Sequence, residues 1–307
     1  MNVQSLDEYK TIIHLLKKKY TVDCEPRFLY RGHSNHVNYK LLPGVFRPKI
    51  KGNCIIRPCN QDEKGIIKEY RDISSRGLNG NKELIEIGQH YGVPTRLMDL
   101  TEDEFVALYF ACSEETKSFP SVWIINETNY SRWFFSRELS VNEGLSPTEI
   151  VNKVLSDEWD DRDNIHNDIN KYVIDPFIYK PDWIDQRQIN QKSWFMLWGA
   201  RQDEFDDITN SDKCNVPISL DNSVGISDKS ILGVITIDPN YQKSILFELE
   251  KDYSRKYIYP TDDDPEAKQV RDNNTNDNNT QYVKNDYGSV KLVLNKVHPS
   301  RQDWKEE

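Results

Sequence analysis

Arginine is the side chain that grips a phosphate or a ribose edge through two parallel hydrogen bonds. Three short stretches of this chain, far apart, carry one each. Phe28-Leu29-Tyr30-Arg31-Gly32 is an apolar strand running into an arginine and a glycine. Gln89-His90-Tyr91-Gly92-Val93-Pro94-Thr95-Arg96-Leu97-Met98-Asp99-Leu100-Thr101 reads as a helix end, a tight turn, then an arginine and an aspartate ahead of a new helix. Arg187-Gln188-Ile189-Asn190-Gln191 sets an arginine and a glutamine before another apolar segment. Packed together, these would line a cleft with fixed positive charge and hydrogen-bonding groups, a cradle for a phosphate- and ribose-bearing ligand.

Each residue also has a plainer reading. Arg31 at a strand end could be a solvated charge, or pair with the acidic run Asp262–Asp264. Arg96 and Asp99, three apart, could pair with one another and pin the turn. The helix expected from Thr101 carries Glu102, Asp103 and Glu104 in its first turn. These carboxylates already answer its positive end, so phosphate is expected on Arg31 and Arg96 instead. Gln191 can orient a ribose hydroxyl but has no accessible pKa and cannot act as a base. His33 and His36 are close enough to suggest zinc, yet no cysteine or carboxylate beside them completes a site, so no metal is expected. Gly-x-Ser-x-Gly, Gly-x-x-x-x-Gly-Lys, His-Glu-x-x-His and Gly-x-Gly-x-x-Gly are all absent, which argues against a hydrolase of those kinds.

The elements that must position these residues follow from periodicity. Residues 5–20 read as an amphipathic helix opened by Ser5 and Glu8. Residues 27–31 read as a strand, and the Pro- and Gly-punctuated stretch from Pro43 to Pro58 as loop. Asp62–Arg76 is expected to be helical, as is the stripe Leu84, Ile87, Tyr91, stopped by Gly92 and Pro94. Thr101 and Glu104 form a second capping box ahead of the apolar helix Phe105–Cys112, which should be buried. Ser121–Ile125 reads as a strand, and Ser146, Pro147 and Glu149 as a helix start. Strands follow at 172–178, 193–198 and 231–237, and Asp238-Pro239 opens a helix through Leu249. Asp272–Thr280 has no apolar surface to bury and reads as a loop, with Val290, Leu292 and Leu294 packing back as a last strand. The mixture is α+β.

At 307 residues with a net charge of −10, the chain lacks the basic face that general nucleic-acid binding requires. Its 7 Trp, 16 Tyr and 11 Phe supply core bulk despite only 37% hydrophobic residues. Five cysteines without a Cys-x-x-Cys pair read as reduced thiols, Cys112 being a core residue. No apolar run reaches membrane-spanning length and the N-terminus lacks a signal-peptide pattern, so a cytoplasmic protein is expected.

Together Tyr30-Arg31-Gly32, the Gln89–Thr101 block with Ala107-Leu108-Tyr109-Phe110-Ala111, Arg187 with Gln191 and Phe195, and Tyr257-Ile258-Tyr259-Pro260 resemble the FRG domain, a bacterial family named for a Phe/Tyr-Arg-Gly motif. The departures are Tyr30 for Phe, Leu100 where an aromatic is common, and Lys192-Ser193 where a glycine is usual. The resemblance divides the chain into an N-terminal helix (1–24), the domain (25–270) and a polar loop with a returning tail (271–307). The order of parts is similar to that of ADP-ribosyltransferases. It implies a split β-sheet core with surrounding helices and NAD as substrate. Arg31 would hold phosphate and ribose, and Thr95–Thr101 with Ala107 and Phe110 would form the middle of the site. Gln191 falls where a glutamate is expected. The resemblance thus implies catalytic roles for Arg31, Gln191 and Asp99, the last as a substitute carboxylate. Tyr30, Gly32, His90, Tyr91, Thr95, Arg96, Thr101 and Arg187 would bind the nucleotide. It implies transfer of ADP-ribose to a protein or nucleic-acid acceptor, or hydrolysis of NAD, in a toxin or anti-phage defence effector. The alternative is a non-catalytic module of the same fold that senses a nucleotide or a partner. The oligomeric state is left open.

Overall fold

The computed structural model describes residues 2–21, 26–36, 41–46, 49–51, 54–56, 60–75, 80–114, 118–142, 146–155, 176–182, 185–198, 231–260 and 264–275. In chain order the elements are β1 (Asn2–Val3), α1 (Leu6–Tyr20), β2 (Phe28–His33), β3 (Lys49–Lys51), β4 (Cys54–Ile56), α2 (Asn60–Ile73), α3 (Asn81–His90), β5 (Leu97–Thr101), α4 (Glu104–Cys112) and β6 (Ser121–Asn126). Then come α5 (Glu127–Asn142), α6 (Pro147–Val154), β7 (Phe177–Tyr179), α7 (Gln186–Asn190), β8 (Ser193–Leu197), β9 (Ile231–Ile237), α8 (Gln242–Leu249), α9 (Arg255–Ile258) and α10 (Pro265–Thr275). The fold is α+β, built on one seven-stranded mixed sheet in the order β1-β9-β6-β2-β5-β8-β7. The β1–β9 pair is parallel and all its other neighbours are antiparallel.

Neighbours along a strand point to opposite faces, and here each face is covered. Tyr30 and Ile124 join Val3, Tyr9, Val106, Leu108, Ile237 and Ile245 in one apolar layer, under α1, α4 and α8. Leu29 and Ile125 join Ile67, Tyr70, Leu84, Met98, Phe134, Phe177 and Phe195 in the other, with α2, α3 and α5. β1 pairs with β9, so the N-terminal segment shares the sheet.

Local signals set several boundaries as expected. Ser5 caps α1 by accepting from Glu8 N, although the Glu8 carboxylate reaches back to Gln4 N. Ser146 and Glu149 form a reciprocal capping box with Pro147 at the first helical position. Gly92, at φ +88°, takes the left-handed turn that ends α3. α4 is buried nearly all round, and burial pushes the thiol of its free Cys112 up to about 12.

Four expectations are corrected. Thr101 does not open a helix: residues 97–101 are strand β5, and Asp103 caps α4 by accepting from Phe105 N and Val106 N. The stretch from Pro43 to Pro58 contains a 3₁₀ turn at Gly44–Phe46 and the β3–β4 hairpin. Helix α8 starts at Gln242 rather than at Asp238. Asp272–Thr275 is helical, the last turn of α10, because Ala267 and Val270 are buried and the Asn273 and Asn274 amides donate to Glu69. The remainder of that polar string, the tail strand through Val290–Leu294, and residues 172–175 of the strand expected at 172–178 lie outside the described residues.

Glu86 of α3 is buried and accepts a 3.0 Å hydrogen bond from the Tyr179 hydroxyl. Burial raises its pKa from 4.5 to about 7, against the opposing pull of Lys82 and Tyr179. A carboxyl whose pKa is raised on folding stabilises the native state fully below its unfolded pKa and loses that contribution as pH rises through the folded value. Wild-type stability should therefore fall between about pH 4.5 and 7, by up to about 3 kcal/mol from this group. Glu86→Gln keeps the acceptor for Tyr179 and should remove that slope, which urea titrations at several pH values would measure.

Candidate functional site

The sheet is narrowest in the middle. β2 pairs with β6 along its whole length, Phe28 to His33, and β5 pairs with β8 from Leu97 to Thr101. Between them β2 and β5 share one register pair, Tyr30 with Thr101. Beside this joint lies a cavity of about 340 Å³. Its walls are Tyr30–Ser34, Asp99–Thr101, the C-terminal end of α4 at Phe110, Ser113 and Glu114, and Gln191, Ser193 and Tyr259.

Arg31 spans the joint. Its Nη1 donates to the Asp99 carbonyl oxygen and lies 3.9 Å from the Asp99 carboxylate, and its Nε donates to His33 Nε2 at 3.0 Å. An imidazole nitrogen that accepts is unprotonated, so His33 is neutral in this arrangement. The Asp99 side chain is 39% exposed, through the cavity, while Arg31 is 15% exposed. Gln89 Nε2 donates to Asp99 Oδ2 at 2.6 Å, and the Thr95 hydroxyl orients that amide by donating to Gln89 Oε1 at 2.7 Å. Thr95, Gln89, Asp99, Arg31 and His33 thus form one chain of hydrogen bonds across β2, β5 and α3. Desolvation raises the Asp99 pKa; Arg31, the Gln89 bond and Arg187 oppose it. The carboxyl holds its proton to higher pH than an ordinary aspartate.

Gly32 has a packing reason to be glycine. A Cβ there would stand 2.0 Å from the Ala107 carbonyl oxygen and 2.8 Å from Ala111 N, because α4 crosses directly over β2. Ala107 and Ala111, four apart on one helix face, are the small residues that permit this approach. The same crossing places Phe110 and Glu114 on the cavity wall.

Of the residues expected at the site, the structure brings together Tyr30, Arg31, Gly32, Asp99, Thr101 and Gln191. Thr95 reaches it indirectly, through Gln89. Arg96 does not reach it: the residue is 1% exposed, and its backbone N–H, Nε and Nη2 all bind the buried Glu63 carboxylate. It is a core ion pair, neither a phosphate ligand nor a partner for Asp99. His90 and Tyr91 are buried against Asp185, the Tyr91 hydroxyl donating at 3.1 Å, and neither lines the cavity. Asp264 is likewise no partner of Arg31: it caps α10 and accepts from the Tyr70 hydroxyl, while Asp262 and Asp263 lie outside the described residues.

Gln191 is held at both ends. Its carbonyl accepts from the Thr101 hydroxyl at 2.6 Å, and its Nε2 donates to the Ile258 carbonyl at 3.0 Å. Lys192 follows at φ +46°, a left-handed conformation that glycine adopts without strain, which accounts for the glycine usual at this step. Here the lysine is held by a 2.9 Å ion pair to Asp103.

Ser34, Glu114 and Tyr259 also line the cavity, with no role expected for them from the sequence. Ser34 donates to Glu114 Oε2 at 2.8 Å, placing a second carboxylate on the cavity wall. The signal available was their spacing: Ser34 lies just beyond Arg31-Gly32, and Glu114 one turn beyond Phe110. Among the described residues no group of three or more histidine, cysteine or acidic side chains could hold a metal ion, and no helix is long and apolar enough to cross a membrane.

Neither the curated proteins nor the solved structures yield a match to this chain. A family model does match: residues 26–119, which include β2, β5 and α4 as well as Glu114 just beyond α4, fit the FRG domain. The chain carries an FRG domain over that stretch.

Proposed function

We propose that the cavity beside Arg31 and Asp99 binds the nicotinamide-ribose end of NAD, and that the protein transfers ADP-ribose or hydrolyses NAD. The observation that carries this reading is the Asp99 carboxylate, reachable through the cavity and fixed by Arg31 and Gln89 where β2 and β5 part. Cleavage breaks the bond from ribose C1′ to the nicotinamide nitrogen, and the bonding pair leaves with nicotinamide. The cation left on C1′ and the ring oxygen is captured by water or by an acceptor hydroxyl, whose proton passes to a carboxylate. A fixed carboxylate in a poorly solvated site stabilises that developing charge. Asp99 fills this role and Glu114 stands as the second acid on the wall.

Cavity size and charge suit one end of the ligand. About 340 Å³ is near the lower bound of ligand pockets, roughly 300–1,000 Å³. With Arg31 facing two carboxylates, the lining favours a centre that becomes positive over a phosphate. The divided ADP-ribosyltransferase-like sheet is part of the same reading, supported by the single β2–β5 register pair. So are a cytoplasmic location and a role as a toxin or defence effector. The second reading, a nucleotide-sensing module without turnover, draws support from Gln191: the residue aligned with the expected glutamate is an amide already used to hold Ile258.

Incubation with NAD and chromatographic detection of nicotinamide separates the two. Asp99→Asn keeps an acceptor and the shape of the side chain but removes the charge. Release by the variant should fall about a hundredfold while NAD binding persists. Binding without release by the wild type would establish the sensing module, and absence of both would overturn the nucleotide reading.

A further inference from the structure

Tyr259, one wall of the cavity, carries two arginines. The Arg187 guanidinium carbon lies 4.5 Å from its ring centroid and 5.1 Å from that of Tyr91. The Arg255 guanidinium carbon lies 5.2 Å from the Tyr259 centroid, and its side chain hydrogen-bonds Tyr109. Among the described residues neither arginine has a carboxylate within ion-pair distance, and Arg187 Nε is buried without a hydrogen-bond partner. Asp99, Glu114 and Glu250 are near enough for their charge to be felt in this cluster, but none closes on either guanidinium.

Two cations on one ring repel each other more strongly where solvation is poor, and stacking on tyrosine offsets this only in part. What such stacking does provide is orientation. A guanidinium lying over a ring keeps its N–H edge in plane and free to bind two oxygens of one anion. The cavity itself, with two carboxylates against one arginine, leaves the phosphates of a dinucleotide without a counter-charge. Arg187 and Arg255 supply it on the adjoining wall.

We infer that Arg187 and Arg255 form an anion subsite that takes the pyrophosphate of the nucleotide whose ribose end occupies the cavity. The identity of the whole ligand rests on the reading above, whereas the anion subsite does not. Calorimetry with NAD, nicotinamide riboside and inorganic pyrophosphate, on wild type, Arg255→Ala and Arg187→Lys, tests it. Arg255 is exposed, so its removal should leave the melting temperature unchanged; Arg187→Lys keeps charge and bulk but loses the fork. The wild type should bind NAD at least tenfold more tightly than the riboside, and each variant should lose at least tenfold for NAD and pyrophosphate while keeping its riboside affinity. NAD affinity unchanged in both folded variants would overturn the subsite and leave the nucleotide reading standing. Pyrophosphate bound by wild type and lost in Arg255→Ala, with neither NAD nor riboside bound, would establish the subsite and overturn the nucleotide reading. No binding of any of the three would overturn both.

Discussion

Gly32→Ala should destabilise the protein by more than about 4 kcal/mol, the range reached by few single substitutions. The new Cβ would meet the Ala107 carbonyl oxygen at 2.0 Å and Ala111 N at 2.8 Å, and both are backbone atoms of the buried helix α4. A flexible side chain could swing aside; a helix backbone packed on both sides cannot. Relief requires α4 to lift from β2, which would also displace Phe110 and Glu114 from the cavity. Gly65, inside α2 with nothing within 4 Å of a Cβ, is the matched control. There alanine should stabilise by about 0.5–1 kcal/mol, because it restricts the unfolded chain and favours the helix. Urea unfolding of both variants measures this; a Gly32→Ala protein as stable as wild type would show that α4 does not bear on β2 as described.

The second large effect lies in the core. Arg96→Met should cost about 3–5 kcal/mol, because it leaves the Glu63 carboxylate buried without its counter-charge. Glu63 and Arg96 are each 1% exposed, and the carboxylate takes the Arg96 backbone N–H as well as the guanidinium. The double variant Glu63→Leu/Arg96→Met should recover much of the loss, since removing both charges also removes both desolvation penalties. Nicotinamide release by the folded double variant should match the wild type, as Arg96 is remote from the cavity wall. A loss of NAD affinity at unchanged stability would return Arg96 to the binding site.

Much of the scaffold was legible in the sequence because its signals are local. The caps at Ser5 and Ser146, the Gly92 turn and the apolar run Phe105–Cys112 act over three or four residues, and helix ends depend on such neighbours. Arg31, Asp99 and Gln191 were likewise singled out by their places at strand and helix ends, and they do meet at one cavity. What misled was local pattern with a tertiary competitor. Thr101-x-x-Glu104 has capping-box spacing, but Thr101 is held in β5 by pairing with Tyr30 and Ser193, which leaves Asp103 to cap. Arg96 looked available for phosphate because its partner, Glu63, sits 33 positions earlier on another element. Gly32 was expected to bind the nucleotide, and its constraint is a helix 75 or more positions away in the chain. Arg255 carried no signal at all until Tyr259 placed it beside Arg187.

Cleavage at this cavity requires the nicotinamide ribose to sit between Arg31 and Asp99. A crystal structure of the Asp99→Asn protein briefly soaked with NAD tests this most directly, since that variant should bind NAD while cleaving it about a hundredfold more slowly. Density for the ribose is expected in the cavity between Arg31 and position 99, with the pyrophosphate running toward Arg187 and Arg255. NAD bound elsewhere on the protein, with that cavity filled by water alone, would contradict it.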